Sequence, residues 1–351
     1  MTETTDTLTI RRPDDWHLHL RDDAMLRGVL PFTARQFGRA IIMPNLVPPV
    51  TTVTEALAYR GRILAALPEG LSFEPLMTCY LTDNADPDAL EAGHRDGVFT
   101  AVKLYPANAT TNSDFGVTSW DNIRPVLARL EKIGMPLLIH GEEAAPDIDI
   151  FDREKMFIER VLSWMTADYP ALKIVLEHTT TAEGVAFVRE SGDNIGATIT
   201  PHHLMINRNA LLVGGMRPHM YCLPVAKRER HRLALRAAAT SGDASFFLGT
   251  DSAPHPIGAK ESDCGCAGIF NAPTAMELYT QVFDEEGALD NLEAFASVNG
   301  PAFYGLPPNE TMVTLRRMPS TTPGDISIEG MEDRVRPFSV AETLSWSLID
   351  A

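Results

Sequence analysis

Eight apolar, β-rich runs recur along the chain, at roughly 8–20, 39–45, 72–81, 99–106, 136–142, 173–180, 194–203 and 246–255. Most are separated by stretches of helical periodicity, and this alternation constrains the fold more than any other feature. Runs that are apolar nearly throughout belong to strands covered on both faces, the condition of a parallel sheet flanked by helices. Between 152 and 168, Met156, Ile158, Val161, Leu162 and Trp164 recur at three- and four-residue steps, the spacing of one helix face. Thr180-Thr181-Ala182-Glu183 is a capping-box pattern that predicts a helix start after the sixth run. With 351 residues, 44% of them hydrophobic, the chain has enough apolar material for one large core. Length and strand count together predict an α/β fold, a (β/α)8 TIM-like barrel with short N- and C-terminal extensions. Residues 1–351 then form a single domain, with 311–351 as the C-terminal extension. An open doubly wound sheet is the alternative, but no Gly-x-Gly-x-x-Gly follows an early strand.

In such a barrel the C-terminal strand ends build the active face, so the last residues of each run matter most. The first run closes on Asp15-Trp16-His17-Leu18-His19-Leu20-Arg21. Side chains two apart on a strand project together, so His17 and His19 can grip one ion from one side. The second run ends in Asn45, the fourth carries Lys103, and the fifth and sixth end in His140 and His178. The eighth ends in Asp251, with His255 four residues on. Taken singly, His140 reads as a core histidine bonded to a carbonyl, and Asp251 as a cap of the following turn. Lys103 resists such a reading, because a buried cation is costly without a partner. That six runs end this way by structural accident is improbable, and together they read as a site.

Imidazole with carboxylate suits zinc or a similar divalent ion. Four histidines and an aspartate are too many for one tetrahedral site that keeps a position open. Divided, His17, His19 and Asp251 hold one ion, and His140 and His178 hold another. Two neighbouring cations need an anionic bridge, which unmodified Lys103 would oppose. Carbamylated by carbon dioxide, Lys103 becomes a carboxylate with one oxygen for each ion, and a hydroxide can be the second bridge.

Six of these segments, Trp16-His17-Leu18-His19-Leu20-Arg21, Met43-Pro44-Asn45, Lys103-Leu104-Tyr105-Pro106-Ala107, Ile139-His140-Gly141-Glu142, Leu176-Glu177-His178 and Gly249-Thr250-Asp251-Ser252-Ala253-Pro254-His255, carry a family resemblance. Thr200-Pro201-His202-His203 and Val298-Asn299-Gly300-Pro301-Ala302 extend it over most of the chain. The chain resembles the amidohydrolase superfamily and, within it, the dihydroorotases of the compact bacterial type. The resemblance implies two Zn2+ per chain, bridged by Lys103 as N6-carboxylysine. It implies reversible cyclisation of N-carbamoyl-L-aspartate to L-dihydroorotate with loss of water, a step of de novo pyrimidine (UMP) synthesis. In the hydrolytic direction a bridging hydroxide attacks the ring amide, and Asp251 carries its proton to the leaving nitrogen. Arg21 offers a two-pronged guanidinium to the substrate carboxylate. By the resemblance Asn45 and His255 complete that clamp, His140 also contacts substrate, and main-chain groups of Leu223 and Ala267 hold the ring's other polar edge. Pro106–Val117, rich in small polar residues, reads as a mobile loop. In the family such a loop closes over substrate through two threonines, here Thr110 and Thr111. The compact type also implies a homodimer.

Other features take plainer readings. His202 and His203, adjacent on a strand, face opposite ways and play structural or supporting roles. Cys264-Gly265-Cys266, without a second pair, is weak evidence for metal. His94, His219 and His231 read as solvated, as does the basic run of helix 225–242 (Lys227, Arg228, Arg230, Arg232, Arg236). A net charge of −17 argues against nucleic acid as a partner. No stretch approaches the roughly 18 apolar residues of a membrane span. Four cysteines and a start without a secretory pattern predict a cytoplasmic protein. Hydantoinases, dihydropyrimidinases and allantoinases share the metal ligands but carry a longer N-terminal segment than the 16 residues before His17. Arg21 also suits a carboxylate that simple hydantoins lack. A non-catalytic barrel used as a scaffold subunit is the other alternative, but such relatives lose ligands that this chain keeps.

Overall fold

The structure is a computed structural model that describes residues 6–339 and 342–350. Eight strands follow one another around a single parallel sheet: β2 (Asp14–Leu18), β3 (Arg39–Ile42), β4 (Glu74–Tyr80), β5 (Ala101–Leu104), β6 (Leu137–Ile139), β7 (Ile174–Leu176), β8 (Ile195–Ile199) and β9 (Phe246–Leu248). Each lies inside one of the eight runs read from the sequence. Helices separate nearly all of them, among them Asp23–Ala34, Val53–Ala65, Trp120–Ile133 and Ala182–Glu190. The ring closes just past the strand ends, where Leu18 bridges Ser252 in parallel and Asp251 N–H donates to His17 O at 2.9 Å. The result is a TIM-like (β/α)8 barrel. No helix among the described residues is long and apolar enough to cross a membrane.

Two apolar layers position the mouth. Outside the sheet, strands and helices share the main core. Inside it, Trp16, Ile41, Leu76, Ala101, Leu138, Val175 and Phe247, one each from seven strands, fill the floor with Met43. Phe303, Tyr304 and Leu306 plug that floor from below. Trp16 stacks on Tyr304 with ring centroids 4.3 Å apart. Gly300 permits the approach, since a Cβ there would lie 1.9 Å from the indole nitrogen. A dry floor under a polar rim leaves the strand ends as the place where polar groups gather.

Several expectations are corrected. The run 8–20 is two strands, because β1 (Thr7–Arg11) leaves the barrel before Pro13. It pairs antiparallel with β10 (Met312–Arg316), which pairs in turn with β11 (Ser347–Asp350). The alternation Thr7-Leu8-Thr9-Ile10-Arg11 fits such a strand, with one wet face and one dry. Part of the expected C-terminal extension thus covers the N-terminal strand. The run 194–203 ends early: Thr200 caps a short helix, Pro201–Met205, by accepting from His203 N–H. His202 and His203 therefore sit on a helix rather than a strand, and both are buried. The predicted helix 152–168 forms as Arg153–Asp168, with a π-turn at Ile158–Leu162. Helix Ala182–Glu190 is capped by Thr181 rather than through the Thr180–Glu183 box. The Thr180 and Thr181 hydroxyls instead donate to the buried Glu154 carboxylate, each at 2.5 Å. His231 is buried and accepts from Ala182 N–H at 3.0 Å, so it is not solvated. Lys227 and Arg236 are buried too, the latter paired with Glu285 and Glu286.

Candidate metal centre and cleft

The barrel brings the strand-end histidines into one cluster. His17 Nε2 and His19 Nε2 lie 3.2 Å apart, and Asp251 Oδ1 lies 3.3 and 3.2 Å from them. Nearby, His140 Nδ1 and His178 Nε2 are also 3.2 Å apart. Four donor atoms at zinc bond lengths of about 2.0–2.1 Å around a tetrahedron stand about 3.3 Å from one another. The spacing is therefore the edge length of a coordination polyhedron, repeated in two places. The rings of His17 and His178 join the two groups, with centroids 4.9 Å apart. All five residues are buried.

The backbone is bent to make this possible. His178, Asp251 and Arg21 occupy the left-handed region, with φ of 41°, 44° and 59°. Non-glycine residues hold such angles only where their surroundings impose them, at about 1–3 kcal/mol each. Asp15 supplies part of that imposition. Its buried carboxylate accepts from Thr250 N–H, Thr250 Oγ1 and His17 N–H, knitting the strand end of Asp251 to that of His17. Burial pushes the Asp15 carboxyl up to about 7, against these hydrogen bonds.

Three of the four imidazoles are oriented from behind. His19 Nδ1 lies 2.9 Å from Asn45 Oδ1, which can only accept, so His19 Nε2 keeps its lone pair for the cluster. His140 Nε2 lies 2.9 Å from the buried Glu142 carboxylate, leaving Nδ1 free towards His178. His17 Nδ1 sits 3.0 Å from Glu177 Oε1. Burial holds His19 down at about 4 and His178 well below the usual imidazole range, both neutral and fit to coordinate. For His17, burial is outweighed by Glu177 and Asp251, which lift it to about 9. The carboxylates thus draw positive charge to this spot.

Lys103 projects from β5 with no exposure at all, donating to the Glu177 carboxylate and lying 4.6 Å from the Tyr105 ring centre. Burial lowers its pKa against the pull of Glu177. Glu177, Glu142 and Asp15 are the site residues that reading the sequence missed. A charged residue inside an apolar run was the available signal for Glu177, the same signal that exposed Lys103. Asp15 and Glu142 carry no spacing signature.

Around the cluster, Arg21, Asn45, Tyr105, Thr110, Thr111, Leu223 and Ala267 line a narrow cleft. Arg21 Nη2 is 3.0 Å from His255 Nε2, and its Nε donates to Pro254 O at 3.2 Å. His255 Nε2 is also 3.0 Å from Ala267 O. Asn45 spends its oxygen on His19 and donates its amide to Thr111 O at 3.3 Å. The loop 106–117 lies across the opening: Thr111 Oγ1 donates to Ala267 O, and Asn112 Nδ2 donates to Asn45 O. His202 and His203 stand apart with Cys222, and both His203 nitrogens are taken by Thr200 Oγ1 and Pro224 O. Cys264 is exposed and joins no metal-ligand group among the described residues.

Fold and cluster define the class: a (β/α)8 barrel whose strand-end His and Asp groups are able to hold metal. The model of the Amidohydrolase family matches residues 14–310. A dihydroorotase of Erythrobacter litoralis is 63% identical over 344 residues, covering 98% of this chain and 99% of the relative. The crystal structure of a Campylobacter jejuni dihydroorotase superposes with a TM-score of 0.90 at 35% identity, covering 99% of both chains. A Saccharomyces cerevisiae dihydroorotase in complex with 5-fluoroorotic acid gives 0.91 at 31% identity, covering 98% of this chain and 99% of that one. The chain belongs to the dihydroorotases of the amidohydrolase family.

Proposed function

We propose that this chain interconverts N-carbamoyl-L-aspartate and L-dihydroorotate plus water, as a cyclic amidohydrolase of pyrimidine synthesis with a binuclear zinc centre. His17, His19 and Asp251 would hold one ion, His140 and His178 the other, with a carbamate on Lys103 offering an oxygen to each. The chemistry of the donor set supports this: buried imidazoles, of which His19 and His178 are held neutral, one carboxylate and donor spacings of 3.2–3.3 Å. Carbamylation needs an uncharged amine to attack carbon dioxide, releasing one proton, and burial favours that form of Lys103. When bound, the ions supply Lewis acidity, polarising the ring amide carbonyl and bringing the pKa of water towards neutrality.

The protein's own groups do the rest. Asp251 takes the proton of the attacking water and gives it to the ring nitrogen as the C–N bond breaks; in the biosynthetic direction it returns that proton. Arg21 pairs with the substrate carboxylate, steadied by His255, while Asn45 and His140 border the same pocket. Main-chain groups at Leu223 and Ala267 face the ring's remaining polar edge. Thr110 and Thr111 close the cleft and exclude water from the reacting atoms. Asn45 contributes by fixing His19 as well as by bordering substrate. The proposal extends to residues 1–351 acting as one unit, to a homodimer and to a cytoplasmic setting.

The observation that carries the reading is the convergence of six strand ends on one cleft, in a chain with 63% identity to a dihydroorotase over nearly its whole length. An ultraviolet assay of the purified, zinc-loaded protein with dihydroorotate, run beside dihydrouracil, tests it. Turnover of dihydroorotate is expected; turnover of dihydrouracil alone would place the chain with the hydantoinase-type amidases.

A further inference from the structure

Lys260 ends the short helix Ile257–Lys260 and is almost wholly buried. Its ammonium donates to three main-chain carbonyls: Tyr221 O at 2.8 Å, Cys266 O at 2.8 Å and Gly268 O at 2.6 Å. Three donors meet three acceptors, so the group is fully satisfied without a carboxylate. A buried cation held only by carbonyls costs desolvation that a neutral side chain would avoid. Its placement therefore calls for a purpose.

The three carbonyls belong to the two segments that contribute Leu223, Ala267 and Gly268 to the cleft lining. Tyr221 lies two residues before Leu223, and Cys266 and Gly268 bracket Ala267. Gly268 N–H also donates to Tyr221 O at 3.0 Å, so one carbonyl joins both segments and the lysine. With the carbonyls on either side of Ala267 drawn back to Lys260, the Ala267 carbonyl between them turns the other way. It meets Thr111 Oγ1 from the covering loop and lies 3.0 Å from His255 Nε2.

We infer that Lys260 is a positioning residue, whose ammonium staples the 221–223 and 266–268 segments together and so sets the main-chain edge that recognises the substrate ring. The inference rests on the dihydroorotase reading but not on the metal arrangement, because Lys260 touches none of the proposed ligands. It separates ring recognition from bond cleavage: loosening the staple weakens capture of the ring and leaves the chemical step in place.

Lys260→Met, which keeps the bulk and removes the donors, and Lys260→Gln, which keeps two donors, test it in the zinc-loaded enzyme. Losing hydrogen bonds to a charged donor raises the KM for dihydroorotate and the inhibition constant of orotate about 10-fold or more in the Met variant. The Gln variant falls between it and the wild type. The kcat stays within about 3-fold, a difference below 1 kcal/mol, and zinc content stays at the wild-type value. Unchanged KM and orotate inhibition in both variants would overturn the inference. So would a joint loss of zinc, Tm and kcat in both, which would make Lys260 a purely structural residue. A wild-type enzyme inactive on dihydroorotate would overturn the functional reading and this inference with it; an active wild type beside an unaffected Met variant sinks the inference alone.

Discussion

Lys103 is the residue on which the site turns. It is wholly buried, and among the described residues its one ion-pair partner is Glu177. An ion pair so deep in the interior is weak evidence for stability, because desolvation of both partners offsets their attraction. A lysine kept there to be converted into a carboxylate is a better reason for its position. Lys103→Ala therefore loses activity and at least one zinc ion per chain, measured by metal analysis, with partial rescue by short carboxylic acids; full metal retention would contradict the bridging role. His17, His19, Lys103, His140, His178 and Asp251 were legible in the sequence because each interrupts an apolar run at a strand end. Asp15, Glu142 and Lys260 were not, because their partners are a ring nitrogen, main-chain groups and one distant threonine hydroxyl, which leave no pattern in the order of side chains.

At the level of elements, strand positions were legible because burial on both faces leaves unbroken apolar runs. Their limits were less so. Pro13 and the alternating Thr7–Arg11 divide the first run, and the Thr200 cap converts the end of the seventh into helix. In both places a local backbone preference overrides an apolar stretch. The loop 106–117 owes its path to Asn108 and Asn112, which take φ of 62° and 56°, conformations asparagine tolerates better than most residues. Thr111 meets the far wall of the cleft through its side chain, whereas the loop's shape rests on main-chain bonds such as Ala107 N–H to Val117 O at 3.0 Å. Replacing both threonines by alanine should thus preserve the loop and remove its latch. Turnover is expected to fall about 10- to 100-fold, the scale of losses from small misplacements at a reacting centre, with zinc content unchanged. An unaffected rate would remove the loop from the catalytic cycle.

For the molecule as a whole, the barrel separates two tasks. Trp16 and its apolar layer, sealed by Phe303 and Tyr304, hold the strands in register, while the opposite ends spend stability on left-handed residues and buried charge. That cost implies a stabilising return from whatever the cluster binds. A ligand held at a thousand times its dissociation constant adds about 4 kcal/mol to the native state. Stripping the metal with a chelator should accordingly lower Tm by about 5 °C or more for a chain of this size, with recovery on adding zinc; an unmoved Tm would argue against tight binding. The sheet that joins β1, β10 and β11 is a pairing across some 300 residues that no local pattern announces.

The central claim is that distant strand ends enclose two divalent ions joined through a modified lysine. Anomalous diffraction from crystals of the zinc-loaded protein, recorded on either side of the zinc absorption edge, tests it directly. Two zinc peaks are expected, one against His17, His19 and Asp251 and one against His140 and His178, with density continuing beyond Lys103 Nζ between them. A single peak, or a bare lysine still paired with Glu177 in the metal-loaded crystal, would contradict it.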